Sequence, residues 1–228
     1  MKLVIRFLAL IFSIALTACG AGSSNSNKDN AVVSFTAKQY FTKTAVGNTW
    51  KYSNTDTYAP TGMPNKTTTD IEDAEIKVTS LINGGVNINR TSIINGNSSV
   101  STYKRYIDAS GRLILDDGIV IVELPATFTV GTNWIDEPAD IPNGTGASTA
   151  KIIAFNVKHA VGNMTFTDCL QVETMQNNPD GTFSSAVIYI SPTVGNIVEY
   201  IESYSYLDAT NGNGSGVLTK QLQSYTIK

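Results

Sequence analysis

From Trp50 onward the apolar positions recur every second residue, and no stretch of a dozen residues repeats at the three-to-four spacing of a buried helix face. Ile76 and Val78 alternate with Glu75, Lys77 and Thr79, and Val86 and Ile88 alternate with Asn87 and Asn89. Near the end, Ile197, Ile201 and Leu207 fall on one strand face and Tyr200, Tyr204 and Tyr206 on the other. Turn residues punctuate these runs at Asn83-Gly84-Gly85, Asn95-Gly96-Asn97, Ser110-Gly111, Asp117-Gly118, Asn178-Pro179-Asp180-Gly181 and Asn211-Gly212-Asn213-Gly214. Asn-Gly and Asp-Gly pairs accept the positive φ that tight hairpin turns need. The pattern predicts an all-β fold, an antiparallel meander closing into a sandwich or a curved half-barrel. The helix–strand alternation that a parallel nucleotide-binding sheet requires is absent from the sequence.

The first residues break this pattern. Lys2 and Arg6 precede an apolar run from Phe7 to Leu16, too short to span a bilayer, which ends at Leu16-Thr17-Ala18-Cys19. That ending resembles the lipobox of bacterial lipoproteins. The resemblance implies a signal peptide over 1–18, removed on maturation, and a diacylglyceryl group on Cys19 with acylation of its new amine. Several chains on one residue make a near-permanent anchor, because each buried methylene contributes about 0.8 kcal/mol. Gly20 stands where an Asp would retain a lipoprotein at the inner membrane, so the family rule favours the outer membrane in a Gram-negative host. The alternative is an ordinary secretory signal cut near Ala18 or Ala21. Residues 19–31 then comprise the lipidated cysteine and a Gly/Ser/Asn tether, and a single all-β domain occupies 32–228. Glu137 to Ala147, with two prolines and two glycines, is the longest expected loop within it.

Composition narrows the function classes. The 228 residues carry 16 basic and 19 acidic groups, net −3, and losing Lys2 and Arg6 with the leader takes the chain to −5. No basic excess exists to neutralise phosphates, which excludes nucleic acid as an electrostatic partner. Anionic headgroups repel such a chain, so contact with a bilayer would run through the acyl anchor. Thr (27), Ser (20) and Asn (20) dominate the polar positions, which suits exposed strands and turns better than helices.

Val46-Gly47-Asn48-Thr49-Trp50 is echoed by Val130-Gly131-Thr132-Asn133-Trp134. Either a β unit is duplicated, or short strings coincide in a chain rich in these residues. Tyr40-Phe41 ahead of the first copy, then the second, then Thr165-Phe166-Thr167-Asp168-Cys169-Leu170-Gln171-Val172-Glu173 and Tyr189 to Gly195 occur in a telling order. This order resembles a group of β-rich bacterial lipoproteins of unknown function, from which the chain departs at Thr42, where a Pro usually stands. The resemblance implies an all-β extracytoplasmic module and supplies no catalytic residues.

Candidate chemistry is sparse. His159 is the sole histidine, so a multi-histidine metal site is impossible, and no Gly-x-Ser-x-Gly elbow accompanies it. Cys169 reads as a small hydrophobe of a β core, with its burial left open by the alternation of its strand, and a catalytic thiol there would need His159 beside it. Ser101-x-x-Lys104 and Ser148-x-x-Lys151 put their side chains on opposite faces of a strand, where they cannot meet. The acidic pairs Asp70/Glu72, Asp73/Glu75 and Asp116/Asp117 read as strand edges and turns, with a carboxylate-pair hydrolase or a calcium site as the alternative. Tyr200, Tyr204 and Tyr206, with Tyr103 expected nearby, form the candidate binding face for a sugar or peptide.

The sequence therefore predicts a lipid-anchored extracytoplasmic module that binds or assembles without catalysing, with no cofactor. Its expected partners are the lipid bilayer through Cys19 and an envelope protein, glycan or lipid ligand. The second reading is a carrier whose curved sheet holds an acyl chain, as lipoprotein-sorting factors do. A hydrolase is the third.

Overall fold

A computed structural model describes residues 33–63, 66–140, 144–207 and 213–228. The leader, Cys19, the tether, and Asn211 and Gly212 of the last expected turn lie outside the described residues. The chain begins with β1 (Phe35–Thr36) and one helical turn, α1 (Ala37–Tyr40). A first meander follows: β2 (Thr49–Pro60), β3 (Thr68–Ile82), β4 (Gly85–Ile94), β5 (Asn97–Ile107), β6 (Leu113–Asp116) and β7 (Val120–Leu124). After the short β8 (Thr127–Phe128) comes a second: β9 (Asn133–Glu137), β10 (Ser148–Val161), β11 (Met164–Asn177), β12 (Phe183–Ser191), β13 (Asn196–Tyr206) and β14 (Gly214–Thr226).

The two meanders form one antiparallel sheet of 12 strands, ordered β7-β6-β5-β4-β3-β2-β14-β13-β12-β11-β10-β9. The last strand of the second unit pairs with the first strand of the first unit, Tyr52 opposite Leu222. Strong curl brings the free edges β7 and β9 together, and Trp134 Nε1 donates to the Val122 carbonyl across them at 2.7 Å. The result is a curved, nearly closed half-barrel, which answers the choice between sandwich and half-barrel.

Among the described residues, the turns form where the sequence places them. Asn95 and Gly96 both take positive φ (51° and 80°), the geometry of a two-residue hairpin turn between β4 and β5. The echo of Val-Gly-x-x-Trp is structural. Gly47 N donates to the Val78 carbonyl (2.9 Å) and Val78 N to the Asn48 carbonyl (3.0 Å). Gly131 N and Ile152 N repeat both bonds, to the Ile152 and Thr132 carbonyls, at 2.9 and 3.0 Å. Each glycine sits at a φ near +90° (90° and 86°), a conformation that costs a residue with a Cβ, so the repeat requires glycine there.

One end of the half-barrel is plugged. The β12–β13 turn folds inward, held by Asp168, which accepts from the Ser191 and Thr193 hydroxyls at 2.8 and 2.5 Å. Trp50 Nε1 donates to the Val194 carbonyl (2.9 Å), Tyr52 Oη to the Ile197 carbonyl (2.8 Å) and Arg105 Nη1 to the Gly195 carbonyl (2.8 Å). Trp50, Tyr52, Ile76, Val78, Ile88 and Leu222 pack with Val194, Val198 and Cys169 into one apolar cluster. A second cluster joins Ala37, Tyr40, Leu113, Leu124 and Phe128 to Ile152, Leu170 and Val172, so β1, α1 and β8 cap the same barrel.

Candidate functional site

Register decides which side chains face the hollow. Val172 stands opposite Ile188, and Ile188 opposite Tyr200. Because side chains alternate along a strand, Thr174 and Gln176, Ser184 and Ala186, and Glu202 and Tyr204 share that face. A bulge between Tyr189 and Ile190 pairs Ile190 with Ile197. The extra residue turns Ile197 onto the face of Tyr200, where simple alternation would have separated them.

Of this face, Val172, Thr174, Gln176, Ser184, Ile188, Ile190, Ile197, Tyr200 and Glu202 wall a cavity of about 310 Å³. Its apolar part is Leu115 and Ile121 from β6 and β7, Trp134 from β9, and Val172, Ile188, Ile190 and Ile197 from β11 to β13. The two meanders face each other across it. Toward the strand ends the lining turns polar with Glu137, Ser148, Gln176, Ser184 and Glu202. A second hollow lies around Met175, Val187 and Ile201, whose side chains belong to the opposite face of β11 to β13.

Carboxylates ring the cavity in different states of partnership. Glu123 is paired with the buried Arg105 through Nε at 2.5 Å. Glu202 accepts from the Tyr200 hydroxyl at 2.9 Å. Burial raises the carboxyl of Asp136 above its usual range, against the opposing bond from Ser148, and one of its oxygens, Oδ1, is buried with no partner. Glu137 is raised too, by burial and then by the charge of Asp136. The phenol of Tyr200 is pushed upward by its burial and by Glu202. Against the same inner face, Lys220 rests its ammonium over the Tyr52 ring at 4.4 Å, and burial lowers it to about 8. A polar belt runs beside it: Asn54 Nδ2 and Arg90 Nη2 both donate to Glu72, at 2.8 and 2.7 Å.

Beyond Glu202 the same face of β13 continues into Tyr204 and Tyr206. With Tyr58, Asp56, Asp70 and Lys66 they line a cleft of about 680 Å³ at the end opposite the plug. Tyr58 is eight residues along β2 from Trp50, about 26 Å at 3.3 Å per residue.

The expected binding face is thus divided. Tyr200 belongs to the cavity, and Tyr204 and Tyr206 to the cleft. Tyr103 lies on β5 opposite Ile88, packed against the cluster of Trp50 and Tyr52 and away from that cleft. Its phenol is raised by burial. The sequence reading did not single out Trp134, Asp136 or the isoleucines of β12 as cavity residues. Their alternation was visible, but only the curl of the sheet reveals that the two meanders face each other.

The remaining candidates have structural partners. His159 Nε2 lies 2.7 Å from Glu199 and its ring stacks on Tyr189 at 3.6 Å. Cys169 is fully buried, and burial followed by Asp168 pushes its thiol up to about 12. Ser101 and Ser148 lie on strands with their lysines three residues on, hence on opposite faces. Asp70 accepts from the Tyr58 hydroxyl, Glu75 pairs with Lys51 at 3.5 Å, and Asp116 and Asp117 accept from Gly118 N and Ile119 N within their turn. Among the described residues no group of three His, Cys, Asp or Glu side chains is placed to hold a metal ion.

No family model and no curated protein matches the chain. A crystal structure of a LolA superfamily protein from Nitrosomonas europaea is similar over 85% of this chain and 94% of that one, at 10% identity and a TM-score of 0.22.

Proposed function

We propose that the domain is a non-catalytic carrier that takes a thin apolar ligand, a single acyl chain, into the half-barrel. The observation that carries this reading is the cavity of about 310 Å³ walled by Leu115, Ile121, Trp134, Val172, Ile188, Ile190 and Ile197. Its volume falls at the small end of the roughly 300–1,000 Å³ of small-molecule sites, enough for one chain and not for a multi-chain lipid. Its apolar wall on both sides, with Glu137 and Glu202 toward the end opposite the plug, suits a ligand that is apolar along its length and polar at its tip. The carboxylates at that end disfavour an anionic tip, since like charges in a half-buried site repel strongly.

The leader supports a location in the bacterial envelope, with the carrier held at a membrane through lipidated Cys19 and free to reach on its Gly/Ser/Asn tether. The outer membrane of a Gram-negative host is the destination that Gly20 favours. The denaturing mass of the protein from its host reports this directly. A chain starting at Cys19 and bearing acyl groups supports the anchor, and an unmodified chain cut elsewhere refutes it.

Ile188 is half-buried in the cavity wall, so a tryptophan there fills the space that an acyl chain would occupy. Ile188→Trp is expected to weaken binding of a fluorescent acyl probe at least tenfold, with the unfolding midpoint within a few degrees of the wild type. Undiminished probe binding in a folded Ile188→Trp protein would contradict the cavity as the site.

A further inference from the structure

The cleft at the end opposite the plug has a construction that the proposed acyl site does not explain. Tyr204 stands opposite Gly216 and Tyr206 opposite Gly214 in the β13–β14 ladder. A Cβ on Gly216 would collide with the Tyr204 ring, and one on Gly214 with the Tyr206 ring and hydroxyl. Glycine in a strand interior costs stability, and here it lets two rings lie down across β14. Tyr58 meets Tyr206 edge-on, with centroids 6.2 Å apart and planes at 88°, and Tyr204 meets Tyr206 at 6.4 Å and 45°. The three rings therefore line the cleft at steep angles to one another and not as a flat platform. The hydroxyls of Tyr204 and Tyr58 donate to Asp56 (2.8 Å) and Asp70 (3.2 Å), so the phenol protons point at carboxylates. Among the described residues, Lys66 is the single opposing charge lining the cleft against these two carboxylates.

We propose that Tyr58, Tyr204 and Tyr206, with Asp56 and Asp70, are a seat for a methylated ammonium group. Ring faces carry negative quadrupole potential and attract cations, a fully methylated ammonium included, which has no N–H to donate to a hydrogen bond. Three rings at different angles surround such a group, whereas a sugar ring stacks on a flat face. The surplus carboxylate supplies long-range attraction for the same sign of charge. Since Glu202 of the cavity and Tyr204 of the cleft are successive inward residues of β13, one ligand can span both. The seat would then hold the head of the ligand whose tail fills the cavity. That last step rests on the proposed carrier function; the seat itself does not.

The test is calorimetric titration of the intact protein, in a non-ionic polyoxyethylene detergent, with choline and with its neutral isostere 3,3-dimethylbutan-1-ol. Choline is expected to bind at least tenfold more tightly than the isostere. Tyr206→Ala should abolish the difference, and Asp70→Asn, an exposed change that leaves the strands intact, should weaken choline severalfold. Equal binding of the two compounds, or of neither, overturns the proposal, as does saturation by glucose in place of choline. Running the acyl-probe assay on Tyr206→Ala separates the two claims. Probe binding retained with choline binding lost supports the seat independently of the cavity, and probe binding absent from the wild type refutes the carrier reading alone.

Discussion

Arg105→Met will destabilise the domain by about 3–5 kcal/mol, because it strands the Glu123 carboxylate in the interior. Arg105 is 4% exposed, and its guanidinium makes three separate contacts. Nε pairs with Glu123, Nη1 donates to the Gly195 carbonyl in the inward-folded turn, and its centre lies 5.6 Å from the Phe41 ring. It thereby ties β5, β7, the β12–β13 turn and the segment after α1 to one planar cation. Methionine approximates the stem and satisfies none of these partners. The double variant Arg105→Met with Glu123→Leu removes the orphaned charge and should recover much of the loss, since a hydrophobic pair of similar size often replaces a buried ion pair at little net cost. Urea unfolding of the single and double variants measures both. A double variant as unstable as the single one would show that the bond to Gly195 dominates and not the ion pair.

Trp50→Ala is the second change with a large effect, about 3–5 kcal/mol. The indole is 2% exposed at the centre of the cluster with Ile76, Val78 and Leu222, so truncation opens a cavity that strands on both sides cannot collapse to fill. It also removes the donor to the Val194 carbonyl, leaving a buried acceptor unpaired. For a domain of this size each kcal/mol lowers the midpoint by about 2–4 °C, so a fall of roughly 10 °C is expected. Trp50→Phe keeps most of the apolar volume and should cost clearly less. Equal losses for the two variants would assign the effect to the hydrogen bond rather than to packing.

Both residues show how far the sequence carries. Trp50 and Trp134 were readable as landmarks because each follows a Val-Gly step before a strand, and the two copies do make the same backbone bonds. Asn95-Gly96 announced its hairpin because an Asn-Gly pair accepts two positive φ values in succession at little cost. The role of Arg105 was not readable: Glu123 lies two strands away in the β5–β7 meander, and Gly195 reaches the guanidinium only because the distant β12–β13 turn folds inward. The placement of Ile197 beside Tyr200 depends on a bulge that leaves no mark on the alternation itself. The tyrosine face was legible as a face. Its division was not, since the break between apolar cavity and aromatic cleft is set by what lies across from each residue: Leu115 and Trp134 for one, Tyr58 and Asp70 for the other. Tyr103 was grouped with them by residue type, whereas its register opposite Ile88 puts it in the packed half.

Native mass spectrometry of the protein purified from its own host tests the central claim most directly. The carrier reading predicts a complex heavier than the covalent chain by one small amphiphile, released under mild activation and absent from the Ile188→Trp variant. A wild-type protein that runs at its covalent mass alone, and that takes up no acyl compound when offered one, would contradict it.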